Sequence, residues 1–101
     1  MSVTPETLQK LGNSLEDPSV PLPKKYRNLF TLKNLQNQDI VPQIAKGLNV
    51  DSALFKHEVA FCLGQLQDPS AIPFLVNVLQ KGEEHAMVRH EVNHYVTFPI
   101  L

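Results

Sequence analysis

Apolar residues recur along the chain at three- and four-residue spacing, in short blocks divided by Pro, Gly, Asp and Asn, and strand-like alternation is nearly absent. That period predicts helices. Thr4 followed by Pro5 reads as an N-cap with proline at the first helical position, opening a helix through Leu8, Leu11 and Leu15. The stretch from Asp17 to Pro23 holds three prolines and is expected to stay non-helical. A second helix is expected from about Lys24 to Leu35, with Tyr26, Leu29, Phe30 and Leu32 on its apolar side, and a third from about Asp39 to Leu48. Asp51-Ser52 caps the next, which carries Leu54, Phe55, Val59, Phe61, Leu63 and Leu66. Asp68-Pro69 starts another through Ile72, Leu75, Val76 and Leu79, stopping at Gly82. A last helix begins near Glu83-Glu84, whose charges suit a helix N-terminus.

The blocks repeat. Displaced by 31 residues, Phe30 falls on Phe61, Leu32 on Leu63, Leu35 on Leu66, Val41 on Ile72, Pro42 on Pro73, Ile44 on Leu75 and Leu48 on Leu79. A displacement of 33 then lays Phe55-Lys56-His57-Glu58-Val59 over Val88-Arg89-His90-Glu91-Val92. The unit is a pair of helices, and such a pair cannot bury its apolar stripe without stacking on a neighbour. The expected fold is all-α, an α-solenoid of short HEAT-like helix-pair repeats; an irregular helical bundle is the alternative. The pattern breaks near the end. Ala60 to Leu66 correspond to Asn93 to Pro99, where the small and leucine positions are gone and Pro99 ends the helix. The solenoid therefore reads as interrupted after about three repeats, with a HEAT-like domain over 1–92 and a divergent tail over 93–101. This is the look of a truncated version of something longer. Without a polar capping unit, Met87, Val88 and Val92 are expected to be partly exposed, and the uncapped end to favour association.

Composition narrows the function classes. The 101 residues carry a net charge of −1, which removes the electrostatic footprint of a phosphate-backbone binder, so no nucleic-acid partner is expected. No apolar run approaches a membrane span, and the opening MSVTPETLQK has neither the basic nor the apolar part of a secretion signal. The single cysteine, Cys62, agrees with a reducing compartment, cytoplasmic or nuclear. It falls on an apolar helix face and reads as a buried structural thiol. Gly64, inside the same helix, suggests close helix contact.

Two His-Glu pairs, His57-Glu58 and His90-Glu91, occupy equivalent positions in adjacent repeats. Neighbouring helices pack about 8 to 10 Å apart, so imidazoles reaching inward from both can meet at one metal ion, with metal–nitrogen distances near about 2.1 Å. His57, His90 and Glu91 would form a two-histidine, one-carboxylate set, the arrangement suited to non-haem iron and oxygen chemistry, with Glu58 on the flank. Tyr26-Arg27 stand at the matching positions of the first repeat and would frame the site. The alternative is a solvated ladder of charges in which Lys56-Glu58 and Arg89-Glu91 are local ion pairs. His90-Glu91-Val92-Asn93-His94 also fits H-E-x-x-H, but no His, Asp or Glu follows His94 as a third zinc ligand, so a peptidase is set aside.

With their flanks, Leu29-Phe30-Thr31-Leu32, the run from Ser52 to Asp68, and Met87-Val88-Arg89-His90-Glu91 resemble deoxyhypusine hydroxylase, a HEAT-repeat di-iron monooxygenase family. The resemblance covers roughly residues 5 to 92. It implies an O2-dependent hydroxylation of the deoxyhypusine side chain on translation initiation factor 5A, with that factor as protein partner and iron as cofactor. It also implies that His57, Glu58, His90 and Glu91 are metal ligands. The family carries four such dyads in two pseudo-symmetric halves, of which this chain has two, so the chain alone is expected to be inactive. A catalytically silent HEAT-repeat interaction module is the competing expectation.

Overall fold

The computed structural model describes residues 3–35, 39–80, 86 and 88–90, and among these every regular element is helical. The first helix, α1 (Pro5–Glu16), starts as expected: Thr4 accepts from the Thr7 N–H, and Pro5 occupies the first turn. The second, α2 (Leu22–Asn34), begins two residues earlier than the proline count suggested. Pro23 lies in its opening turn, where a missing N–H removes no helical bond, so that proline starts the helix and does not bar it. Between them Asp17 accepts from the Ser19 N–H at 2.9 Å and the Ser19 hydroxyl at 2.7 Å. Those two bonds, in that order, hold the Asp17 carboxyl below its usual value, and the Lys25 charge adds to the effect.

The expected third helix divides into α3 (Ile40–Ala45) and a 3₁₀ turn over Lys46–Asn49. A close approach accompanies the change: a Cβ on Gly47 would lie 2.7 Å from Val59 Cγ2 and 3.1 Å from the Phe55 ring. Then comes α4 (Ala53–Gln65), capped by the Ser52 hydroxyl on the Phe55 N–H. A second 3₁₀ turn, Pro69–Ala71, leads into α5 (Ile72–Gln80). Gly82 and Glu83-Glu84 lie outside the described residues, while 88–90 are helical.

The contacts arrange these helices in two layers. Helices α2 and α4 neighbour each other on one side, α1 and α3 on the other, and each of α2 and α4 also packs on α3. Several equivalent repeat positions share their burial, although Val41 and Leu48 are buried where Ile72 and Leu79 are half-buried. Leu32 and Leu63 are fully buried, as are Ile44 and Leu75, while Pro42 and Pro73 are both exposed. Polar links cross between repeats: Asn28 Nδ2 donates to Ser14 Oγ at 2.8 Å, Lys46 Nζ to Asn13 Oδ1 at 2.7 Å, and Lys33 Nζ to Gln65 Oε1. Gly64 is buried. The close approach of α1 to α3 falls instead at Gly12, where a Cβ would stand 2.9 Å from Gln43 Cβ.

One expectation is corrected. Val88 is fully buried in the common core, not partly exposed. Arg89 beside it donates from Nη1 to the Leu79 carbonyl at 3.0 Å, tying this stretch to the end of α5. Met87 and Val92 lie outside the described residues.

Two stability effects follow. Gln67 has φ 51°, left-handed backbone just past α4 that costs a non-glycine residue roughly 1 kcal/mol. Gln67→Gly is expected to raise stability by about 0.5–1 kcal/mol, read as a higher urea midpoint with unchanged slope. Leu63→Ala, in the fully buried register position, is expected to lower it by about 2–5 kcal/mol in the same titration.

Candidate metal centre

Helix α4 carries the first dyad. Successive residues turn by about 100°, so Leu54, His57, Glu58, Phe61 and Gln65 share one face while Phe55, Val59, Cys62 and Leu63 point into the core. Burial follows this division: the core-side residues are inaccessible, His57 and Glu58 are half-buried, and Leu54 is 62% exposed. His57 and Glu58 thus stand at the border between core and solvent. His90 is exposed on the helical stretch 88–90, which buried Val88 and the Arg89 bond to Leu79 anchor. Glu91, the fourth sequence-predicted ligand, lies outside the described residues, as do His85 and His94.

Among the described residues no group of three or more His, Cys, Asp and Glu is gathered closely enough to hold a metal ion. His57, Glu58 and His90 alone therefore do not form a complete set. The donor chemistry nevertheless suits iron, since each dyad pairs an imidazole nitrogen with a carboxylate oxygen.

The surroundings of the first dyad are apolar and partly desolvated. Tyr26, in register with His57 on α2, meets Phe55 edge-on at 5.0 Å between ring centroids and lies 6.5 Å from Phe30. Burial raises the Tyr26 phenol above its ordinary value, and the Glu58 charge raises it further, so the two side chains sense each other. One turn beyond Glu58, burial pushes the Cys62 thiol up to about 11, against a smaller opposing pull from Lys33 and with a further push from Glu58. The buried inert thiol read from the sequence is what the fold contains.

One buried charge escaped the sequence reading. Lys25 is 6% exposed and is the sole charged side chain among the buried described residues. It stands at i with Leu29 at i+4 and Leu32 at i+7, on the buried stripe of α2.

Comparison with known proteins agrees with this architecture. Residues 55–81 match the PBS lyase HEAT-like repeat family. The chain is 47% identical over 89 residues to deoxyhypusine hydroxylase of Rattus norvegicus and to that of Homo sapiens, covering 88% of this chain and 30% of each relative. It is 39% identical over 106 residues to the Drosophila melanogaster protein of the same name, covering 98% of this chain and 35% of that one. The structure of human deoxyhypusine hydroxylase in complex with glycerol superposes with a TM-score of 0.79 at 45% identity, over 87% of this chain and 31% of that one. Fold and repeat together define an all-helical protein of the HEAT-like repeat class. Over the matched region the chain is a homologue of proteins named deoxyhypusine hydroxylase, and it spans about a third of the length of the relatives it matches.

The state of Cys62 is open to measurement. At pH 8 a thiol-specific disulfide reagent is expected to leave the native chain unmodified and to label it stoichiometrically in denaturant. Because the native thiol keeps its proton above the ordinary value of 9.0, its contribution to stability is complete below 9.0 and is lost as pH rises toward 11. Urea midpoints taken between pH 9 and 11 should therefore fall more steeply for the wild type than for Cys62→Ala.

Proposed function

We propose that this chain supplies two of the metal-binding dyads of a deoxyhypusine monooxygenase, an iron- and O2-dependent enzyme that hydroxylates the deoxyhypusine residue of translation initiation factor 5A in the cytoplasm. The observation that carries this reading is the duplicated His-Glu pair, one repeat apart and with its flanks intact, in a chain 47% identical to relatives bearing that enzyme's name. His57 with Glu58, and His90 with Glu91, would take iron through imidazole nitrogens and carboxylate oxygens. Bound iron supplies the activation of O2. What the protein adds is positional: buried Phe55 and Val59 hold one face of α4 in the core and so set the direction in which His57 and Glu58 project. Tyr26, edge-on to Phe55, sets a half-buried aromatic ring near the Glu58 carboxylate.

Two dyads are half of the four that the family resemblance implies, so hydroxylation should require the complementary half. The test is a reconstitution. The chain is titrated anaerobically with ferrous iron, alone and mixed with the remaining segment of the rat relative, and the mixture is supplied with O2, a reductant and factor 5A carrying deoxyhypusine. Gain of one oxygen by the substrate, seen by mass spectrometry, is expected only from the mixture. The His57→Ala/His90→Ala variant should lose both iron uptake and turnover. Iron uptake unchanged in that variant overturns the ligand assignment, and factor 5A binding that survives it without turnover in any mixture identifies a non-catalytic docking module instead.

A further inference from the structure

A cleft of about 550 Å³ opens between the α1–α2 turn and the segment that leads into α4, away from the residues assigned to iron. Its volume lies within the range of small-ligand sites. Leu22 and Val50 contribute apolar surface, Glu16 and Asp51 contribute exposed carboxylates, and Ser52 and Lys25 also line it. Lys25 is the unusual member. It is 6% exposed, and among the described residues its side chain makes no hydrogen bond or ion pair, only a through-space interaction with Asp17. The Asp17 carboxylate is itself occupied by Ser19. Most of the Lys25 side chain is buried but its ammonium nitrogen is not enclosed, and on the cleft that the residue lines a counter-charge can be supplied to it.

Two further features share this cleft. The start of α2 at Leu22 and the cap of α4 at Ser52 both line it, so two helix N-termini add partial positive charge to that of Lys25. Glu16 and Asp51 bring two negative charges to the same space. A phosphate dianion would meet these carboxylates, while a simple amine or a divalent cation would meet Lys25. Only a molecule carrying both signs satisfies every group. We propose that the cleft binds a small zwitterion of the free amino acid or dipeptide class, its carboxylate held by Lys25 and its ammonium by Glu16 and Asp51.

The experiment titrates the isotope-labelled chain with the dipeptide Ala-Ala, followed by backbone amide shifts, beside its C-terminal amide, its N-acetyl form and free alanine. Saturable shifts at Leu22, Lys25 and Ser52 are expected for Ala-Ala at millimolar concentration, with each blocked form binding at least about tenfold more weakly. Alanine against Ala-Ala separates the two members of the class. Lys25→Gln should weaken Ala-Ala by at least about tenfold with its helical circular dichroism unchanged. Should that variant not fold, the exposed Glu16→Gln/Asp51→Asn pair is expected to weaken Ala-Ala while leaving the N-acetyl form unaffected. No shift at these amides up to about 20 mM, equal binding of the blocked forms, or full affinity in a folded variant would overturn the proposal.

Discussion

Everything in this fold depends on one packing constraint: no helix pair here can bury its apolar stripe except against the next pair. Leu32 and Leu63, and Ile44 and Leu75, are the same two positions in successive repeats, and all four are inaccessible to solvent. Identical positions must face one interior for that to hold, which sets the rotation of each helix about its axis. Once the rotation is set, the position six residues before that leucine stands at the edge of the core in both repeats. That position is Tyr26 in one repeat and His57 in the next, each half-buried. Packing therefore creates the position, and the residue placed there decides its chemistry. In the first repeat an aromatic ring extends the wall; in the second, an imidazole with a neighbouring carboxylate is a donor pair.

The elements easiest to read in the sequence were those whose signals are local. Thr4-Pro5 and Ser52 start helices through bonds to residues three positions on, so a short window contains the whole cause. The start of α2 was misjudged because prolines were counted as breakers irrespective of position, although in a first turn they cost no hydrogen bond. The 3₁₀ turn at Lys46–Asn49 was not legible at all. It presses Gly47 against Val59, a contact between residues 12 positions apart that no local propensity encodes. Val88 teaches the same lesson at the other end. Its burial accompanies a bond from Arg89 to the carbonyl of Leu79, ten residues back, which a window on the 88–92 block does not contain.

The candidate ligands were visible because repetition raises a common residue pair above background: His-Glu once is noise, and twice in register is a pattern. What repetition could not supply is convergence. His57 and Glu58 are half-buried and His90 is exposed, and these three described groups do not form a complete metal set. Lys25 shows the opposite failure. Its position on the stripe with Leu29 and Leu32 was available in the sequence, but only apolar residues were placed on that face.

The apolar setting of α4 also explains how one helix can present hard donors while containing a thiol. Cys62 lies one turn from Glu58, close enough in sequence to compete as a ligand if it were ionised. A thiolate would draw the site toward softer metals, whereas imidazole and carboxylate donors suit iron. Two consequences of burial prevent this. The thiol points to the core side of the helix, and its loss of water keeps the proton bound to about 11, far above any pH at which the chain would work. Desolvation, with the Glu58 charge, also raises the Tyr26 phenol, which an ordinary phenol's value already leaves protonated near neutral pH. Packing of one helix face thus selects which of its neighbours are able to donate electrons on the other.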